Sequence, residues 1–169
     1  MPEKGGLITR FLIANFGGVY NDLIGRRSHL GVAAVIFDAE GRVLLVHQSY
    51  GRRGWDLPGG GREARESLEQ ALRRELREEI GVELVSADLC GVYYEPGVDQ
   101  HHFAFRCLPM SGVSPVPHSP EIIECHYFPI DDLPCPINDF TIRQITDAKS
   151  GSTQVPFATL GPRSWIEER

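Results

Sequence analysis

No segment of this chain holds the roughly 20 uninterrupted apolar residues that a bilayer-spanning helix needs, so no membrane span is expected. Basic charge is also scarce. Lys and Arg number 17 against 23 Asp and Glu, giving a net charge of −6 and a pI near 5.5. A phosphate-backbone scaffold needs a basic surface that neither tail nor helix supplies, so nucleic acid is not an expected partner. The four cysteines, Cys90, Cys107, Cys125 and Cys135, show no C-x-x-C spacing, and three lie in apolar strand-like runs. They read as core thiols of a reducing compartment, the cytoplasm, in preference to metal ligands or nucleophiles. There is no internal repeat and no low-complexity tract. With 169 residues, 41% hydrophobic and 24% charged, the chain has enough for one core and little room for a second domain.

What is present begins with an amphipathic N-terminal stretch. Leu7, Ile8, Phe11, Leu12, Phe16, Val19, Tyr20, Leu23 and Ile24 trace an apolar face at helical spacing, divided at Gly17 and Gly18. Residues 1–28 are expected to be a helical extension docked on the domain, with a homodimer contact as the alternative. Arg10 and Asn15 interrupt the apolar run and no small-residue cleavage site follows, so a signal peptide is not expected.

The densest chemistry lies in residues 60–82, GGREARESLEQALRRELREEIGV. At 3.6 residues per turn Leu68, Ala71, Leu72, Leu76 and Ile80 form one apolar stripe, and Glu75 and Glu79 project from the same half of the helix. Both are expected to lie partly inward. Together with Glu78 they suffer like-charge repulsion and sit at the negative end of the helix dipole, before the C-terminal capping glycine Gly81. Desolvating unpaired carboxylates is costlier than either effect, so a hard dication is the economical explanation of the cluster. The alternative is a set of buried ion pairs with Arg73, Arg74 or Arg77.

The spacing G-x5-E-x7-R-E-U-x-E-E-x-G-U, with U a bulky aliphatic residue, is met at every fixed position by Gly60, Glu66, Arg74, Glu75, Leu76, Glu78, Glu79, Gly81 and Val82. This resembles the box of the Nudix hydrolases. GWDLPGG at 54–60 and EIIECHYFPIDDLP at 121–134 are similar to the family's approach to the box and its closing strand and turn. The resemblance implies that Glu75, Glu78 and Glu79 bind Mg²⁺ or Mn²⁺, with the main-chain carbonyl of Gly60 as a neutral ligand. It also implies that Arg74 and Glu66 hold the loop and helix together by a charge-assisted pair. A further carboxylate, Glu121 or Glu124, completes such a site. Three residues apart on a strand, they face opposite ways, so at most one meets the metal. The implied partner is a small nucleoside diphosphate linked to a moiety X, and the implied reaction is metal-assisted hydrolysis of its diphosphate bond. A nucleotide-sensing or protein-binding module without turnover is the alternative. An isomerase of the same fold would need a catalytic cysteine in a motif that none of the four has.

Outside the box, 29–38 and 42–49 read as strands joined in a hairpin at Ala39-Glu40-Gly41. Further strands are expected near 83–94, 100–108 and 121–129, a helix over 139–148, and a Pro- and Ser-rich loop over 109–120. The resulting fold class is α/β, a Nudix-type α/β/α sandwich with a mixed β-sheet, spanning 29–150 and followed by a tail over 151–169. For substrate contacts, Arg52 and Arg53 before the box either meet a terminal phosphate or form a solvated loop pair. Of Tyr93 and Tyr94, one stacks on a base or sugar while the other packs, or both are ordinary core and surface aromatics. Pro96-Gly97 falls one position short of the proline of ADP-ribose-cleaving relatives. His101 and His102 point to opposite faces and have no evident partner in sequence.

Overall fold

The computed structural model describes residues 28–152 and 154–168. The helical extension and dimer contact expected on residues 1–28 fall outside them, save Ser28.

Alternation in the first two strands builds two cores at once. In β1 (His29–Ile36) and β2 (Val43–Gln48), Val32, Ala34, Ile36, Leu44 and Val46 face one way. Val35, Val43 and Leu45 face the other. The first set packs under α1 (Leu68–Ile80), through Ala71, Leu72, Leu76 and Ile80. The second meets Ile145 and Ala148 of α2 (Asp139–Ser150). Helices therefore cover opposite faces of a β layer, which is the expected sandwich.

The mixed pairing divides between two sheets. With β3 (Trp55–Asp56), β4 (Gly59–Gly61), β5 (Leu84–Glu95), β6 (Gln100–Pro109), β7 (Ile122–Phe128), β8 (Ile137–Asn138), β9 (Phe157–Thr159) and β10 (Trp165–Ile166), one sheet runs β4-β1-β6-β5-β9 and the other β10-β8-β3-β2-β7. β1 and β2 do not form the expected hairpin. Asp38 does make a tight turn, its Oδ1 accepting from the N–H groups of Glu40 and Arg42. The strands then share only the Phe37–Val43 bridge. Each is apolar on both faces, and each finds longer partners in a different sheet. β1 pairs parallel to β6 along its whole length and antiparallel to β4, while β2 lies between β3 and β7.

The ends of α1 are closed as the sequence indicates. Ser67 accepts from the N–H of Gln70, and the Gln70 side chain accepts from the N–H of Ser67, a reciprocal cap. Gly81 leaves the helix in the left-handed region at φ 68°, returning its N–H to the last turn. The stretch expected as a tail instead contributes an edge strand to each sheet, β9 beside β5 and β10 beside β8. Among the described residues no helix is long and apolar enough to cross a membrane.

Candidate active site

The acidic wall is built on α1. Glu75 is 0% and Glu79 3% exposed, whereas the Glu78 side chain is 51% exposed. Glu79 Oε2 accepts from the N–H of Gly59 at 2.9 Å. Arg74 holds the rest. Its Nε and Nη2 fork onto the Glu66 carboxylate at 2.7 and 3.0 Å, and Nη2 also donates to the Gly61 carbonyl at 3.0 Å. Nη1 donates to Glu75 Oε1 at 2.9 Å and to Glu78 Oε2 at 3.2 Å. The Glu66 hydrogen bond, with the Glu75 charge, raises the already high pKa of the guanidinium, and the same bond holds the Glu66 carboxyl below its usual range.

The glycines before the helix are required by contact. A Cβ at Gly59, whose φ is 152°, would lie 2.1 Å from the Val32 carbonyl oxygen, and one at Gly60 would lie 2.5 Å from Glu75 Oε1. The Glu75 carboxylate therefore lies directly against the Gly60 main chain. The donors gathered here are all oxygen, the set that suits Mg²⁺ or Mn²⁺. Among the described residues no three acidic, histidine or cysteine side chains already converge as a metal cage. Arg74 and the Gly59 N–H engage the carboxylates instead. The chemistry of the site fits a dication, and the ion-pair alternative is realised through Arg74.

Beside this wall opens a cleft of about 230 Å³, floored by Gly59–Gly61 and the Gly31–Ala33 stretch of β1. Its far side is the start of α2 with Asn138, Phe140, Thr141 and Gln144, together with Asp56, Gln100, His102 and Arg163. Asn138 caps α2, its Oδ1 accepting from the N–H of Thr141 at 3.0 Å. The Thr141 hydroxyl donates to Asp56, whose Oδ1 also accepts from the Leu57 N–H. His102 Nε2 and Arg163 both meet Glu95. Burial pushes the Glu95 carboxyl up, but the His102 hydrogen bond and the Arg163 charge outweigh it and hold it low.

Several side chains singled out from sequence lie elsewhere. Tyr93 is fully buried, its hydroxyl donating to Asp147 at 2.8 Å, and burial with that bond raises its pKa. Tyr94 donates to Asp99 and tilts against His101. Neither lines the cleft: Tyr93 is taken up against α2, and Tyr94 by the turn at Asp99. Arg52 pairs with Glu167 at 2.8 Å and lies over the Trp165 ring, while exposed Arg53 accepts a hydrogen bond from His47 at its carbonyl. Both stand outside the cleft. Glu124 accepts from His47 and His126, which lower its carboxyl. It faces away from α1, since the next residue, Cys125, packs beneath that helix. Glu121 precedes β7, its peptide held by Ser49 and Ser119. The cysteines are free thiols, with burial raising Cys90 to about 11 and Cys107 to about 12.

The sequence reading missed Asp56, Asn138 and Arg163. Asn138 carried a signal, an Asn-Asp pair opening a helical pattern. His102 does have a partner, Glu95, across the β5–β6 hairpin, and pairing the hairpin in register around its 96–99 turn would have found it. Arg163 carried none, since no local pattern ties it to the cleft.

The family model for the NUDIX domain matches residues 27–148. An RNA pyrophosphohydrolase of Teredinibacter turnerae is 38% identical over 71 residues, 42% of this chain and 40% of that protein. A MutT-like protein of Streptomyces ambofaciens is 34% identical over 84 residues, covering 50% and 54%. The matched part thus spans about half, or less, of these relatives' length. A solved NUDIX hydrolase from Nitrosomonas europaea shares the fold, with a TM-score of 0.66 over 82% of this chain and 81% of that one, at 21% identity. With the family model covering most of the chain and the box intact from Gly60 to Val82, the protein belongs to the NUDIX family.

Proposed function

We propose that this chain is a divalent-metal-dependent hydrolase that cleaves the diphosphate bond of a nucleoside diphosphate linked to a second moiety. The observation that carries it is the pair of buried carboxylates, Glu75 and Glu79, held against Gly59 and Gly60 at the floor of a cleft. The name of the Teredinibacter turnerae relative, an RNA pyrophosphohydrolase, concerns the same kind of bond and supports the reading.

Glu75, Glu78 and Glu79, with the Gly60 carbonyl, would hold Mg²⁺ or Mn²⁺. Bound there, the ion neutralises charge on the diphosphate and acidifies a water. The chain's own part is positioning. Arg74 ties the glycine loop, through Gly61, to the carboxylates of the helix, so the loop and α1 present their oxygens as one surface. Gly59 to Gly61 carry no side chains to obstruct a diphosphate, and the opposite wall holds the rest of the substrate. A cytoplasmic setting, consistent with the four free thiols, completes the proposal.

The test is phosphate release, after phosphatase coupling, from a panel of nucleotides and nucleotide sugars with Mg²⁺, for wild type, Glu75→Gln and Glu79→Gln. Each variant keeps size and removes charge, and kcat is expected to fall at least ~100-fold. Undiminished turnover in EDTA, or a loss below about tenfold in both variants, overturns the assignment.

A further inference from the structure

Beyond the family-matched residues, the segment 157–166 crosses from one sheet to the other, because β9 pairs with β5 and β10 with β8. Between these strands it carries Arg163 to the cleft. Two bonds from Nε and one from Nη2, at 3.1 to 3.2 Å, fix that guanidinium on Glu95, and Phe140 backs it with its ring 5.0 Å away. The side chain is still 31% exposed. It is thus a planar group held by Glu95 and Phe140, part of the cleft lining and still partly exposed.

A second, independent observation lies next to it. Asn138 is 0% exposed and lines the cleft, its Oδ1 is committed to the Thr141 N–H, and its Nδ2 has no hydrogen-bond partner among the described residues. A buried amide donor left unmatched is rare and calls for an acceptor. The two groups are also locked together. Asp139 donates its N–H to the Ser164 carbonyl at 3.0 Å, Ser164 returns its own N–H to Asp139 Oδ1 at 2.9 Å, and Trp165 pairs in register with Asn138.

We propose that this C-terminal strap makes the base-binding platform of the cleft: a planar heterocycle stacks on Arg163 while Asn138 Nδ2 donates to a ring acceptor. The inference rests on the hydrolase reading for what lies at the other end, where the diphosphate meets the acidic wall. Arg163 is ill suited to a phosphate, because the Glu95 carboxylate already pairs with it and a second carboxylate, Asp56, also lines the cleft. What remains is a flat surface and a donor, the chemistry that takes a nucleobase.

The experiment follows the side-chain signals of Asn138 Nδ2 and Arg163 Nε by nitrogen-15 NMR of the full chain in EDTA. Hydrolysis plays no part in it, so failure of the hydrolase reading registers in the phosphate-release assay and failure of this proposal registers here. Adenosine and guanosine monophosphates are titrated against ribose 5-phosphate and inorganic pyrophosphate. Expected are shifts of both signals with at least one nucleotide and none with ribose 5-phosphate or pyrophosphate. Arg163→Lys, which keeps the charge and loses the plane, is expected to weaken nucleotide binding roughly tenfold. Equal shifts with ribose 5-phosphate or pyrophosphate, wild-type affinity in Arg163→Lys, or no shift with either nucleotide overturns the proposal.

Discussion

Arg74 sets the electrostatics of the acidic wall, since it touches Glu66, Glu75, Glu78 and the Gly61 carbonyl at once. Its partners differ in burial, and their substitutions should differ accordingly. Glu78 is half exposed, so Glu78→Gln is expected to leave metal-free stability within about 0.5 kcal/mol of wild type while lowering kcat by orders of magnitude. Denaturation in EDTA beside the phosphate-release assay checks both. A loss of several kcal/mol would mark Glu78 as a structural ion-pair partner instead. Glu66 is one of the carboxyls that carry acid sensitivity, with Glu95 another. The folded Glu66 carboxyl lies below the ordinary value, so the stability it contributes is complete above about pH 4.5 and lost as pH falls through the folded value. Glu66→Gln should flatten this part of the stability profile measured by urea denaturation between about pH 3 and 6. The burial of Glu75 and Glu79 was legible from their place in the apolar stripe of α1. Arg163 was not, because its role arises only when the chain returns after α2.

Elements were legible where local chemistry sets them. Helix α1 is the clearest case, with its cap at Ser67 and stop at Gly81 both written in the sequence. Ser67→Ala removes the side-chain acceptor for the Gln70 N–H and is expected to cost about 1 kcal/mol in urea denaturation, with m unchanged. An unchanged midpoint would show that the cap is dispensable. Strand partners were less legible than strands. The runs 29–38 and 42–49 announce β structure by composition, yet a turn between two strands does not choose their sheet. Here both faces of each strand are buried, so alternation cannot distinguish hairpin from divergence. The two-residue strands β3, β8 and β10 carry almost no periodic signal. They exist because tertiary partners extend them.

For the molecule as a whole, a dication held as proposed at the acidic wall would link function to stability. A metal that binds only the folded chain stabilises it by about 2.7 kcal/mol at a hundredfold excess over Kd. Thermal denaturation should therefore show Mg²⁺ raising the wild-type midpoint by several degrees and that of Glu79→Gln by less. Equal shifts in the two proteins would place the ion elsewhere. The α/β/α class was readable because one amphipathic helix and several apolar strand runs admit few layer arrangements. Two sheets in place of one, and the use of residues 157–166 to edge both, depend on long-range register that no local pattern records.

The parallel pairing of β1 with β6 bears on biosynthesis. His29 meets Gln100 and Ile36 meets Cys107, so the strand shared by both cores leaves the ribosome about 70 residues ahead of its main partner. For the first part of that interval Val32, Ala34 and Ile36 have no helix over them, until α1 is made, and Val35 waits longer still, since α2 follows β6 itself. Closing a loop of this length must precede most of the burial that rewards it, which puts the chain among slow, high-contact-order folders. Its period of greatest exposure to self-association is therefore translation itself, when two-faced β1 is complete and β6 is not yet made.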